Sequence, residues 1–364
     1  ISSKLLVGIC VITYVWLGIV EVATRSNVPN TSFRKESEVG RSMVKQRSKA
    51  ELLAFIRTSR AMKKDAGRED SITWKTVFFR MNVVWCMALW KDENIADSIT
   101  SHAIDFIKQH QDEPFFMYFA TNDVHVPRFP HERFRRKTGM GHRGDAIAQF
   151  DWCVGELMKT LKELRLDKNT LIILSSDNGA VVDDGYDDQA EELLNGHQPS
   201  GPWRGNKYSA FEGGTAIPAI VHWPNGVKGG KTSDVLMSQI DWIASLGSLI
   251  QAKFPKGSAI DSRNRLGNLL GTDDNHRPWV IEQAANKTLS IRSIDWKYID
   301  PHDGPKMIPW GPKIETGNHP TPQLYNMKED VTEQNNIAEQ HPEKVFEFQT
   351  LLRKIRNQSD NTKF

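Results

Sequence analysis

Cysteine is scarce in this 364-residue chain: Cys10, Cys86 and Cys153 lie far apart, with neither CxxC nor Cys/His spacing. That excludes a disulfide framework and a zinc site, and leaves each thiol as a small apolar filler. An excess of charge of one sign is lacking as well. A formal net charge of +2 gives no reason to expect nucleic acid as a partner, so a small anionic substrate would need cations gathered locally. Charged residues at 25% and hydrophobic ones at 39% are ordinary globular usage, which excludes wholesale disorder, a collagen-like chain and a coiled coil. No initiator methionine precedes Ile1, and the chain is expected to be a fragment or a processed product. Its length suits one large α/β domain with a smaller appendage, because single cores rarely grow beyond roughly 250 to 300 residues.

Long apolar runs are equally few. Residues 5–23 (LLVGICVITYVWLGIVEVA) form one, interrupted by Thr13 and Glu21 and preceded by Lys4. Three readings of it stay open: a membrane or export segment, an artefact of the fragment's start, and a buried core strand or helix. The basic, serine-dotted stretch at 25–87 carries no chemistry and is expected to be a solvated arm.

From Ala88 the texture changes. Ile95, Ile99, Ala103, Phe106 and Ile107 share one helical face, and PFFMYFA after Pro114 is a continuous apolar run of the kind a strand covered on both faces shows. A second helix is expected over 145–166, then the strand TLIILSS. Strand, helix, strand predicts a βαβ unit in a mainly parallel sheet sandwiched by helices. Ligands of such sheets bind beyond the carboxyl ends of the strands. Asn122, Asp123 and His125 follow the first strand and Asp177 and Asn178 the second, and oxygen donors of this kind suit a hard cation. Downstream, Arg204 and Lys207 stand among glycines in GPWRGNKYSAFEGGTAIPAIVHWP, where a fixed lysine can meet an oxyanion. Taken singly, Asp-Asn-Gly is a common turn and the glycine-rich segment a common surface loop. Beyond the core at 88–275, strands and a closing helix predict a small C-terminal antiparallel sheet plus helix at 276–364, in which Trp296 and Trp310 are expected to pack or to stack on a substrate.

Together, PFFMYFATNDVHVPRFPHERF, SSDNG, KYSAFEGGTAIPAIVHWP and QLYNMKEDVTEQNNIAE resemble, in order, motifs of the formylglycine-dependent sulfatases of the alkaline phosphatase superfamily. The resemblance begins at Ala88 and is closest to bacterial arylsulfatase-like enzymes. It implies an alkaline phosphatase-like α/β fold and hydrolysis of aryl or carbohydrate sulfates, with a sulfated small molecule or carbohydrate as partner. It further implies that Asp177 and Asn178 ligate Ca2+, with Mg2+ as the alternative. His125 would meet the sulfate or leaving-group oxygen, Lys207 would hold a sulfate oxygen, and His197 and Arg204 would line the substrate pocket. Relatives of this kind are exported, so a periplasmic or extracellular location is expected, with a membrane anchor if residues 5–23 span.

The family oxidises a cysteine or serine within Cys/Ser-x-Pro-x-Arg to formylglycine. None of ICVIT, WCMAL and DWCVG supplies that proline and arginine, so the precursor is expected to be absent, as is the Asp-Asp metal pair that should follow the first strand. A truncated or rearranged sulfatase of doubtful activity as it stands, with an exposed sheet edge where first strands belonged, is the resulting expectation. A non-catalytic anion-binding remnant and a phosphoester or phosphonate hydrolase on the same fold remain alternatives.

Overall fold

The computed structural model describes residues 8–14, 20–24, 91–285, 287–309 and 313–360. The arm expected over 25–87, Cys86 and Trp310 lie outside them.

The core is a five-stranded sheet. Its middle strand is β1 (Gly8–Tyr14), and β2 (Val20–Thr24) forms one edge; β3 (Phe115–Thr121) and β4 (Thr170–Ser176) flank β1, and β5 (Ala219–His222) forms the other edge. β1 runs parallel to both neighbours, with Gly8 opposite Phe115 and Thr170 and Tyr14 opposite Thr121 and Ser176. The edges are antiparallel. Helices α1 (Ile95–Gln109) and α2 (Gly141–Glu163) cover one face, while α3 (Asp241–Leu249) and α4 (Leu266–Leu269) lie against the other. β4 shows why its sequence is apolar without alternation: Ile172 packs with Phe106, Met117, Leu157 and Leu161 on one side, and Leu171 and Ile173 pack with Trp223, Trp242 and Leu270 on the other. Each such fully buried aliphatic contributes about 1.5–3 kcal/mol of transfer free energy.

Of the three readings left open for the run at 5–23, the structure shows the buried core strand: β1 lies within it, with Ile9, Cys10, Val11 and Ile12 buried, and β2 begins in it; among the described residues no helix is long and apolar enough to cross a membrane. The expected exposed edge is corrected: the sheet has no raw edge at its first strand, because β1 fills the centre.

This mixed sheet, parallel through its three central strands and set between helices, is followed, as expected, by an antiparallel sheet of β6 (Val280–Gln283), β7 (Leu289–Arg292), β8 (Trp296–Ile299) and β9 (Gln323–Asn326). Helix α5 (Pro342–Asp360) packs Phe348 and Leu352 onto Ile291, Tyr298 and Leu324. Trp296 joins this second core, edge-on to His341, rather than a binding cavity.

Candidate functional site

Loops leaving β3 and β4 at their carboxyl ends meet over the sheet. Arg128, 6% exposed, joins them: it donates to the carbonyls of Val124 and Val182 and pairs with Asp188 at 2.6 Å. A third segment, 204–215, closes on the β4 loop. Lys207 N–H donates to the Ala180 carbonyl at 2.8 Å and Gly179 N–H to the Gly214 carbonyl at 2.9 Å. Gly179 is required there, since a Cβ would lie 1.9 Å from the Gly213 carbonyl oxygen. The Asp-Asn-Gly and Glu-Gly-Gly turns are therefore interlocked.

Between these loops lies a cavity of about 300 Å³ lined by His125, Asp177, Asn178, Lys207, His197 and Arg143, with apolar walls from Ile147, Phe150 and Leu174. Five of the six residues singled out by sequence thus converge on it. Arg204 does not: its guanidinium pairs with Glu315 at 2.7 and 2.9 Å, donates to the Glu333 carbonyl at 2.6 Å and lies over the Phe211 ring. That corrects its expected place in the pocket wall, because a bidentate carboxylate partner far along the chain claims its fork.

Lys207 Nζ donates to His125 Nε2 at 2.8 Å and pairs with Asp184 at 3.2 Å. Asp184, absent from the sequence reading, also accepts from the Tyr208 hydroxyl at 2.7 Å and lies 3.6 Å from His125 Nε2. His125 Nδ1 is 2.6 Å from the Val126 carbonyl and must donate to it, which leaves Nε2 as the acceptor of the lysine proton. Burial holds the imidazole below its ordinary range. Lys207 pushes the same way, against the Val126 hydrogen bond and the Asp184 and Asp177 carboxylates. On the opposite wall, Arg143 donates to His197 Nδ1 at 3.0 Å, and desolvation followed by the guanidinium charge keeps His197 low as well.

Asp123, 4% exposed and two residues before His125, is a further buried carboxyl that the sequence reading placed only as a strand-end residue. Gln149 Nε2 reaches both its oxygens at 3.1 Å, while Gln149 Oε1 accepts from His131 N–H. Burial pushes Asp123 up to about 7 against that hydrogen bond.

As metal ligands, Asp177 and Asn178 offer two hard oxygens on one side of the cavity. Calcium takes about six to eight, and among the described residues no group of three or more His, Cys, Asp or Glu is disposed to hold an ion. The donors fit one side of a coordination shell. The expected absence of a Ser-x-Pro-x-Arg match needs correction too, because Ser200-Gly201-Pro202-Trp203-Arg204 has that spacing. Its serine does not reach the cavity: Ser200 Oγ donates to Asn206 at 3.0 Å, and among the described residues the lining carries no hydroxyl or thiol.

The chain matches the Sulfatase family model over residues 41–252, a span that begins ahead of Ala88. It is 52% identical over 269 residues to an N-acetylgalactosamine-6-O-sulfatase of Bacteroides thetaiotaomicron, covering 74% of this chain and 52% of that protein. It is 31% identical over 215 residues to the steryl-sulfatase of Rattus norvegicus, covering 58% of this chain and 35% of that one. A solved structure described under metabolism of multiple glycosaminoglycans by Bacteroides thetaiotaomicron superposes with a TM-score of 0.73 at 52% identity, over 74% of this chain and 56% of the other. The chain spans about half the length of the first of these relatives and about a third of the second.

Proposed function

The chain belongs to the sulfatase family, and from that premise we propose that its cavity takes the sulfate ester of a carbohydrate, a sulfated amino sugar of the kind named for the 52%-identical relative. One observation carries the reading: His125, Lys207, Asp177 and Asn178, from three separate segments, face a single cavity. Lys207 supplies a fixed ammonium for a sulfuryl oxygen, and a positioned cation in a site with apolar walls acts far more strongly than one in water. His125, anchored through Nδ1, aims Nε2 at the same point. It starts neutral. An anionic ester beside the ring favours the imidazolium, so substrate binding itself would load the proton that a departing alkoxide needs. A divalent ion held by Asp177 and Asn178, calcium in the first instance and magnesium otherwise, would add positive charge for the sulfuryl oxygens when bound. His197 and Arg143 form the wall against which the sugar would lie.

Calorimetric titration with inorganic sulfate and with N-acetylgalactosamine 6-sulfate, in the presence of calcium, tests this. Both should bind, and Lys207→Ala should weaken each by about tenfold or more, the loss expected of one charge-assisted hydrogen bond. Unchanged affinity in that variant refutes the assignment. A matched phosphate monoester should bind less well; the reverse order would favour a phosphoester hydrolase. A second reading, recognition of the headgroup without turnover, is favoured by the absence of a hydroxyl or thiol from the lining among the described residues. Release of sulfate from an aryl sulfate by the chain alone would rule it out.

A further inference from the structure

Lys207 is held from two sides, and the outer side reaches the C-terminal sheet. Every N–H of the turn that closes its loop has an acceptor: Gly213 donates to the Arg204 carbonyl, Gly214 to Phe211, Thr215 to Glu212, and Glu212 to the Glu333 carboxylate at 2.8 Å. Glu333 follows β9 and is fully buried, and among the described residues its Oε1 has no hydrogen-bond partner. Its own carbonyl takes the Arg204 guanidinium at 2.6 Å. One residue of the segment after β9 thus grips both ends of the loop at 204–212 that carries Lys207.

The surroundings fix that grip. Lys297 on β8, fully buried, pairs with Glu212 at 3.2 Å and with Glu282 on β6; Arg292 on β7 pairs with Glu212 at 2.9 Å. Glu282 also accepts from Thr215 and Ser290. The groups facing Glu333 are therefore Lys297, Glu212 and Glu282, with Arg204 at its backbone and Tyr325 and Asp330 near its own segment. Three carboxyls stand against the two cations Lys297 and Arg292, and a proton on Glu333 balances them. Burial pushes the Glu333 carboxyl up to about 7 despite Lys297, consistent with that balance.

We propose that Glu333 is a positioning residue for Lys207, setting the depth of its ammonium in the cavity from the segment after β9, where its carboxylate accepts the Glu212 N–H and its carbonyl the Arg204 guanidinium. The inference uses the proposed sulfate site only for what Lys207 does there. Small displacements of a positioned group cost much of its effect, so the sheet governs the cavity without touching a ligand.

The test reads the Lys207–His125 hydrogen bond directly, through the ¹⁵N resonance of His125 Nε2 in histidine-labelled protein at a pH where the ring is neutral. Glu333→Ala should move that resonance at least half of the way toward its position in Lys207→Met. Glu333→Gln, which keeps an acceptor for Glu212, should leave it in place. In the calorimeter Glu333→Ala should weaken inorganic sulfate by about tenfold, and Glu333→Gln should not. If Glu333→Ala unfolds, Glu333→Leu fills its volume without an acceptor and carries the same expectation. An unmoved Nε2 resonance in either folded variant overturns the proposal, and so does failure of both to fold beside an unaltered Glu333→Gln, which would mark a purely structural residue. No sulfate binding by the unaltered protein would remove the sulfate reading alone, because the Nε2 comparison needs no ligand.

Discussion

Replacing Asp123 by asparagine should change stability in opposite directions on the two sides of neutrality. The carboxyl is 4% exposed, receives only the Gln149 amide among the side chains of the described residues, and is pushed up to about 7 from an ordinary 3.8. The folded chain therefore keeps a proton that the unfolded chain has released. Stability from this group is complete below about 3.8, falls as the pH climbs, and is constant again above about 7. Between about pH 5 and pH 7 the loss is about 1.4 kcal/mol per pH unit, or roughly 3 kcal/mol in all. Asparagine keeps an oxygen for Gln149 and does not titrate, but it adds an N–H pair without an assured acceptor, at a cost of about 1–3 kcal/mol. Asp123→Asn should then be less stable than the parent near pH 5 and equal or more stable near pH 8, with the difference shifting by roughly 3 kcal/mol. Urea unfolding of both proteins at the two pH values measures it, and Glu333, which titrates over the same range, cancels in the comparison. A difference that is the same at both pH values would refute the argument and mean that Asp123 is ionised in the folded chain.

Gly179→Ala should destabilise by about 3 kcal/mol in urea unfolding, since its Cβ would meet the Gly213 carbonyl oxygen at 1.9 Å and part the interlocked turns. Lys297→Met should cost about 3–5 kcal/mol by the same measurement, because Glu212 and Glu282 lose their buried cation; adding Glu212→Gln should recover part of that loss. Asp184→Asn should lower the His125 pKa further in an NMR titration, as the carboxylate now opposes Lys207; a rise would show that the three groups do not act on one another as their distances imply.

Periodicity located the helices and β4 well, because those elements bury one side or both and carry the spacing in their apolar residues. α2 begins at Gly141, four residues before the expected Asp145, since its first turn is polar and held by contacts that spacing does not encode: Asp145 accepts the N–H groups of Arg136, Lys137 and Thr138. β1 could not be distinguished from a membrane segment, because a central parallel strand buried on both faces is as uniformly apolar as a lipid-facing run. At the site, residues at strand ends were legible from topology, and Lys207 from its motif. Asp184, Arg143 and Arg128 were missed and Arg204 misplaced for one reason: each takes its place from side-chain partners 23 to 111 residues away. The acidic run around Asp184 was visible, but nothing local paired it with Lys207.

The register of the sheet marks the strand end at which the family resemblance placed its acidic pair. Tyr14, Thr121 and Ser176 end their strands side by side, so the carboxyl end of β1 lies between the ends of the strands that lead into the His125 loop and the Asp177–Asn178 turn. In a parallel sheet that central exit has the shortest path to a ligand above the strand ends. Here the sequence continues as Val-Trp-Leu-Gly-Ile, with no oxygen donor, where the family resemblance led us to expect an acidic pair. Asp184 is left as the carboxylate nearest Lys207 among the described residues, and under the proposed function a sulfate ester would have to displace or share it to reach the ammonium. Under that proposal, anion recognition is a contest between Asp184 and the ligand for Lys207. Anything that shifts the lysine, from the turn beneath it to the C-terminal sheet beside it, alters the outcome.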